Sequence, residues 1–207
     1  MNRVELKTWA KEKIKGHILE LLIPIVIAEI VTTLQIGQKI SYDGGTLNYS
    51  AGLPIGLLFY FVTVGLTYFL VKFMKDQEHS LKDLIAFSGD YVRTFLTGLL
   101  EAIFVFLWTL LLIIPGVVKG IAYSLIPFIL ADEKYKDMKS MDILKKSEQM
   151  MKGHKMDYFV LQLSFIGWHI LAIFTLGLLE IWIIPYSTIA SYKFLLDVKE
   201  TYEANAK

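Results

Sequence analysis

The sequence predicts an all-α fold, a polytopic transmembrane helical bundle of about six spans with short amphipathic helices on the cytoplasmic side. Three observations predict it. Apolar residues make up 55% of the 207 positions and mean hydropathy is +0.50, above what soluble domains carry. These residues fall in long runs, as a hydrocarbon core of about 30 Å demands of a crossing helix. A six-span threading also collects 19 of the 21 Lys and Arg residues on one side and leaves Lys39 and Lys119 on the other. The positive-inside rule then puts both termini in the cytoplasm. The whole of 1–207 reads as a single integral-membrane domain.

Residues 1–16 read as an interfacial amphipathic helix. Asn2 and Glu5 have the spacing of a capping box. Leu6, Trp9, Ala10 and Ile14 share a face, and Arg3, Lys7, Lys11, Lys13 and Lys15 occupy the rest, with Trp9 at the headgroup boundary. An ordinary basic flank of a membrane helix fits the same pattern. The first span covers about 17–37. Glu20, Pro24 and Glu29 interrupt it and no small-x-small cleavage site follows, so a retained helix is expected rather than a signal peptide.

The polar stretch 38–51 carries a turn signal at Asp43-Gly44-Gly45, and the second span follows over about 52–73. Ser80 and Asp83 then form an S-x-x-D cap for a turn with Leu81, Leu84 and Ile85 on one face. The third span, about 92–114, stops at Pro115-Gly116. The fourth, about 117–131, reaches only about 22 Å, so it begins within that bend or is partly re-entrant. In the charged segment after it, Ser140 is placed to cap a helix whose Leu144, Ser147 and Met151 share a face, and Gly153 to end it. The fifth and sixth spans cover about 157–178 and 179–196.

A weak repeat links Ser80 to Ser140, Trp108 to Trp168, and Ile113-Ile114-Pro115 to Ile183-Ile184-Pro185. Both units run in the same orientation, unlike inverted transporter repeats, and membrane helices share composition by chance.

Ionisable residues inside lipid cost about 2.5–3.5 kcal/mol on insertion scales and are functional candidates by default. Glu29, Glu101 and His169 fall at similar middle depths and form the candidate intramembrane polar site. Together they fit a proton or cation relay; alternatively, protonated carboxyls hydrogen-bond neighbouring helices. Lys119 and Glu180 lie near the outer ends of their spans and are the candidate structural ion pair. Small residues at four-residue spacing, Gly52 with Gly56, then Gly116, Gly120 and Ser124, predict close helix packing. The basic segment 134–155 carries four methionines and predicts either contact with anionic membrane-lipid headgroups or a role in topology alone.

Other chemistry is excluded by what the chain lacks. Its formal charge is only +1, and no basic soluble domain is present to read nucleic acid. With no cysteine there is no disulfide, thiolate zinc site or thiol nucleophile. His17, His79, His154 and His169 have no metalloprotease spacing, and neither a phosphate loop nor a G-x-S-x-G elbow occurs. No catalytic, cofactor or metal residues are therefore assigned. A protein partner or a second copy of the chain remains open.

These residues carry a resemblance. Glu5-Leu6-Lys7 with Ala10-Lys11, Ile114-Pro115-Gly116 with Lys119, and Phe128-Ile129-Leu130-Ala131-Asp132 are among the matching stretches. Met151-Lys152-Gly153-His154-Lys155, Leu163 to Trp168, Thr175-Leu176-Gly177 and Pro185-Tyr186 complete them. The chain resembles the bacterial integral-membrane proteins grouped as domain of unknown function 975, and the resemblance implies a bacterial plasma-membrane protein with no established activity to carry over.

Three classes of function follow. The first is a non-enzymatic protein that organises or senses the bilayer, the second a small proton- or ion-coupled transporter using Glu29, Glu101 and His169, and the third a lipid-modifying membrane enzyme.

Overall fold

A computed structural model describes residues 3–36, 39–43, 46–50 and 53–205, with side chains described outside 35–54. Helix α1 spans Arg3–Lys13 and α2 Ile18–Thr32. Two small antiparallel ladders follow: β1 Gln35–Ile36 pairs with β4 Leu53–Pro54, and β2 Lys39–Asp43 with β3 Thr46–Ser50. The remainder is helical: α3 Tyr60–Met74, α4 Tyr91–Leu111, α5 Ile113–Tyr123, α6 Ile126–Leu130, α7 Ser140–Met150, α8 Lys155–Phe174 and α9 Glu180–Asn205.

The fold is all-α apart from those ladders. Within the polar stretch, the residues on either side of the turn signal pair as strands, with Asp43 opposite Thr46 and Ile40 opposite Tyr49. Its apolar and polar residues alternate with period two, the pattern of a strand. Gly44 and Gly45 of the expected turn, Asn2 of the expected cap and Gly52 of the expected small-residue pair lie outside the described residues.

Among the described residues, four helical stretches are long and apolar enough to cross a membrane: Ile55–Met74, Leu81–Leu111, Ile113–Leu130 and Lys155–Phe174. They correspond to the second to fifth expected spans. The first and sixth fall on α2, of 15 residues, and on the first part of α9, and stand outside that set.

Helix α9 is the centre of the bundle, packing against α1, α2, α3, α7 and α8. It buries Ile183, Tyr186, Ile189, Phe194 and Leu195 among others. Leu6 and Ala10 share one face of α1, with Ile14 just past its end, but that face is buried in the protein core, and α1 packs on α9. Trp9 is half-buried there, with Lys193 Nζ 5.3 Å from its ring centre.

Close approach follows small residues, which let backbones come near one another. A Cβ added at Gly56 would stand 1.8 Å from the Thr32 carbonyl oxygen, and one at Gly116 would stand 2.1 Å from Thr109 Oγ1. The expected stripe breaks down at Gly120, which faces open space.

The two serines expected as caps differ. Ser80 and Asp83 form the full capping box, with the Ser80 amide donating to Asp83 Oδ2 at 2.8 Å, although the segment it opens, Leu81–Ile85, is a 3-10 helix. Ser140 is the first residue of α7 rather than its cap, a position held by Lys139 with no side-chain bond. Leu144, Ser147 and Met151 line the buried face of that helix as the spacing predicts, and Gly153 follows in the left-handed region at φ +89°. Ser147 Oγ donates to the Ala122 carbonyl at 2.8 Å, which ties α7 to α5.

Candidate functional site

The α8–α9 hairpin builds one wall and the floor of a groove. Its turn is made by Leu176 at φ +52° and Gly177 at φ +83°. From that turn the two helices run antiparallel in a regular register. Trp168 meets Trp182, Phe165 meets Tyr186, and Gln162 Nε2 donates to Ser191 Oγ at 3.1 Å. The same register places His169 opposite Glu180, with Nδ1 3.0 Å from Oε1. The contact engages Nδ1 and leaves Nε2 without a hydrogen-bonding partner among the described residues.

Helix α2 supplies the opposite wall. Glu29, in its last turn, is exposed, and among the described residues its carboxylate has no hydrogen-bonding partner. Glu29, Gln162, His169, Ser187, Ser191 and Tyr192 line a cavity of about 420 Å³ between α2, α8 and α9. Apolar residues such as Ile25 and Ile166 complete it. Ile166 is exposed, and the His169 side chain is 44% exposed, so the cavity is a groove open at the protein surface. It offers a carboxylate, an imidazole, an amide and hydroxyls along an apolar wall, a combination suited to one polar group carried on an apolar body. At the same level of the fold, Lys7 of α1 places its Nζ 4.5 Å from the ring centre of Phe165, another lining residue.

The structure therefore brings Glu29 and His169 to one groove and leaves Glu101 out of it. Tyr60 Oη donates to Glu101 Oε2 at 2.6 Å, between α3 and α4. Gly98 permits this bond, since a Cβ there would stand 2.6 Å from the Tyr60 ring. Glu101 thus matches the hydrogen-bonded alternative rather than a three-residue relay.

The pairing expected between Lys119 and Glu180 is replaced by two others. Lys119 Nζ donates to Glu148 Oε1 at 2.8 Å and stands 5.3 Å from the Trp108 ring centre, while Glu180 belongs to His169. Equal depth along two spans suggested the first pairing, but α7 folds back onto α5 and supplies a nearer partner.

Sequence reasoning missed Gln162, Ser187 and Ser191 as groove residues. Their signal is the hairpin register about the turn at Leu176-Gly177, which assigns partners on α9 to each position of α8.

A second polar cluster lies at the other end of α9. Lys199 donates to Asp132 Oδ2, Tyr135 Oη donates to Glu203 Oε1 at 2.7 Å, and Lys134 is 3.3 Å from Glu203 Oε2. Burial alone would raise the Asp132 carboxyl, but hydrogen bonds from Lys199 and the Lys134 amide, with both positive charges, hold it below the usual carboxylate range. Glu203 is lowered in the same way, with Tyr135, Lys199 and Lys134 opposing its burial. Among the described residues no three His, Asp or Glu side chains gather as a metal site.

No curated protein and no solved structure matches the chain. The sequence pattern of one family does, over residues 1–119 and again over 110–202, and so covers nearly the whole length. The chain belongs to that family, described as Protein of unknown function (DUF975).

Proposed function

We propose that the protein is a multi-pass protein of the bacterial plasma membrane, with both termini cytoplasmic, that organises or senses the bilayer without catalysing a reaction. It does so by drawing a phospholipid headgroup into the groove of Glu29 and His169. The carrying observation is the open groove itself: the Glu29 carboxylate, with no hydrogen-bonding partner among the described residues, and the His169 imidazole stand exposed beside apolar residues. Against acyl chains alone such groups cost about 2.5–3.5 kcal/mol each, and a polar occupant relieves that cost. The 19 basic residues on one side support the cytoplasmic termini. The basic segment 134–155 adds attraction for anionic headgroups at that face, at about 1 kcal/mol per Lys or Arg near the surface.

Native mass spectrometry of the protein released from nanodiscs of phosphatidylethanolamine and phosphatidylglycerol tests this reading. The wild type is expected to retain bound phospholipid, and the double variant Glu29→Gln, His169→Phe to lose most of that adduct. Equal retention by the two proteins overturns the headgroup site.

A proton-coupled carrier is the second reading, favoured by Glu29 and His169 sharing one groove. It is weakened by Glu101, which is bonded to Tyr60 on another pair of helices.

A further inference from the structure

The hairpin of α4 and α5 has a turn of unusual character. Leu110, Leu111, Leu112, Ile113 and Ile114 are each between 65% and 78% exposed. No charged residue lies between Glu101 and Lys119, so the turn has no polar flank of the kind that marks emergence from a membrane.

The neighbours of α5 are equally telling. Ile113, Ile114 and Val117 line a cavity of about 420 Å³ together with Lys155, Met156 and Phe159, the first residues of α8. Helix α5 packs against both α7 and α8. Lys119 is bound to Glu148 and the Ala122 carbonyl to Ser147, both on α7. Helix α7 belongs to the basic segment between the two hairpins, with Lys139 before it and Lys152 after it. A hairpin crossing a core of about 30 Å would hold its turn that far from the charged start of the next helix. Here the turn and that start line one cavity. Helix α4 has 21 residues, about 31 Å at 1.5 Å per residue, so it must lie strongly tilted to end there.

We propose that α4 and α5 form a re-entrant hairpin that docks its apolar turn among the acyl chains of the leaflet nearest α7 and returns to the same face. Lys119 then joins the other basic residues and leaves Lys39 as the one opposite them. Removing two crossings from the threading keeps both termini on one side. Such a hairpin occupies one leaflet and not the other, so it expands that leaflet's area. The partner is the acyl region of a bilayer, and the proposal does not depend on the headgroup groove.

The chain has no cysteine, so single-cysteine variants give clean labelling. Lys119→Cys and Glu148→Cys are to be treated with a membrane-impermeant maleimide in intact spheroplasts and in inverted vesicles. Both are expected to react from one common face, with complete loss of labelling from the other. Reaction of Lys119→Cys from the opposite face, or from neither, overturns the proposal. Leu112→Cys, at the exposed turn where packing is not disturbed, provides a second reading. It is expected to react from neither face or from that of Glu148→Cys, and reaction from the opposite face overturns the hairpin. Because the comparison is with Glu148→Cys, its outcome is independent of which face is cytoplasmic and of whether lipid occupies the groove.

Discussion

Gly65→Leu is expected to abolish the folded protein. A Cβ at Gly65 would stand 2.2 Å from the carbonyl oxygen of Leu84, 2.5 Å from its carbon and 2.6 Å from the oxygen of Asp83. These are backbone atoms, so no side-chain rotation clears the clash. The segment Leu81–Ile85 must move off α3. It cannot do so cheaply, because Asp83 is anchored twice: Lys72 Nζ donates to it at 2.9 Å, and it accepts from the Ser80 amide. Overpacking a core costs about 1–3 kcal/mol and occasionally more, and breaking the Lys72–Asp83 bond adds about 1.5–3 kcal/mol for a hydrogen bond between charged groups. The loss, about 2.5–6 kcal/mol together, reaches the lower end of the stability of ordinary domains, about 5–15 kcal/mol. The check is the yield of monodisperse protein in detergent and its thermal midpoint. Gly120→Leu is the matched control, since beyond its chain neighbours and its own helix backbone no atom stands within 4 Å of a Cβ there, and it is expected to leave both readings unchanged. Two variants of equal yield would contradict the packing of α3 on the following segment.

Lys199→Met is expected to cause the largest loss from a polar change. Lys199 is only 9% exposed and serves Asp132 directly, with Glu203 3.7 Å away. Its removal leaves the Asp132 carboxylate without its ion-pair partner and Glu203 with Lys134 alone. Truncating one partner of a buried pair costs about 3–5 kcal/mol; the Asp132 side chain is partly exposed, which brings the expectation nearer to about 2–3 kcal/mol. The pH dependence gives a second reading. Asp132 and Glu203 are both held below the usual carboxylate range in the fold. Their contribution is therefore complete above the unfolded values, about 4, and is lost as pH falls through the lowered folded values. The thermal midpoint of the wild type should exceed that of Lys199→Met at neutral pH, and the gap should close as pH drops below about 4. A gap that stayed constant with pH would show that Lys199 acts by packing and not by charge. Lys199→Arg should restore most of the neutral-pH stability, since it keeps the cation.

Much of the helical order is legible in the sequence because hydropathy and capping are local. The third expected span, 92–114, corresponds to α4 at Tyr91–Leu111, and the fifth, 157–178, to α8 at Lys155–Phe174. The Ser80–Asp83 box is readable because three residues suffice to define it. The β2–β3 pairing is equally local: period-two alternation lies on both sides of the Asp43-Gly44-Gly45 turn signal, within five residues each way. Orientation within the bundle is another matter. An apolar run records that a helix avoids water and says nothing of its tilt, so equal spacing from the ends of two spans gave Lys119 the wrong partner. The bond it makes spans 29 residues and depends on how α7 folds back. The groove sits between these cases. Once the turn at Leu176-Gly177 is fixed, an antiparallel register gives His169–Glu180 and Gln162–Ser191. The arrival of Glu29 from α2 follows only from tertiary packing.

The same contrast explains the division among the polar residues. Glu29, Glu101 and His169 look alike in the sequence because each is one ionisable group in an apolar run. They differ through their neighbours. Gly98 admits the Tyr60 ring and so gives Glu101 a donor, whereas Glu29 faces a groove.

The most direct measurement places a photoreactive benzophenone side chain at Ile166, on the exposed wall of the groove, and irradiates the protein in its native membrane. A groove open sideways to lipid predicts a covalent adduct whose added mass is that of a phospholipid. Adducts formed solely with protein, or none at all, would mean that the wall faces a partner chain or water, and would contradict it.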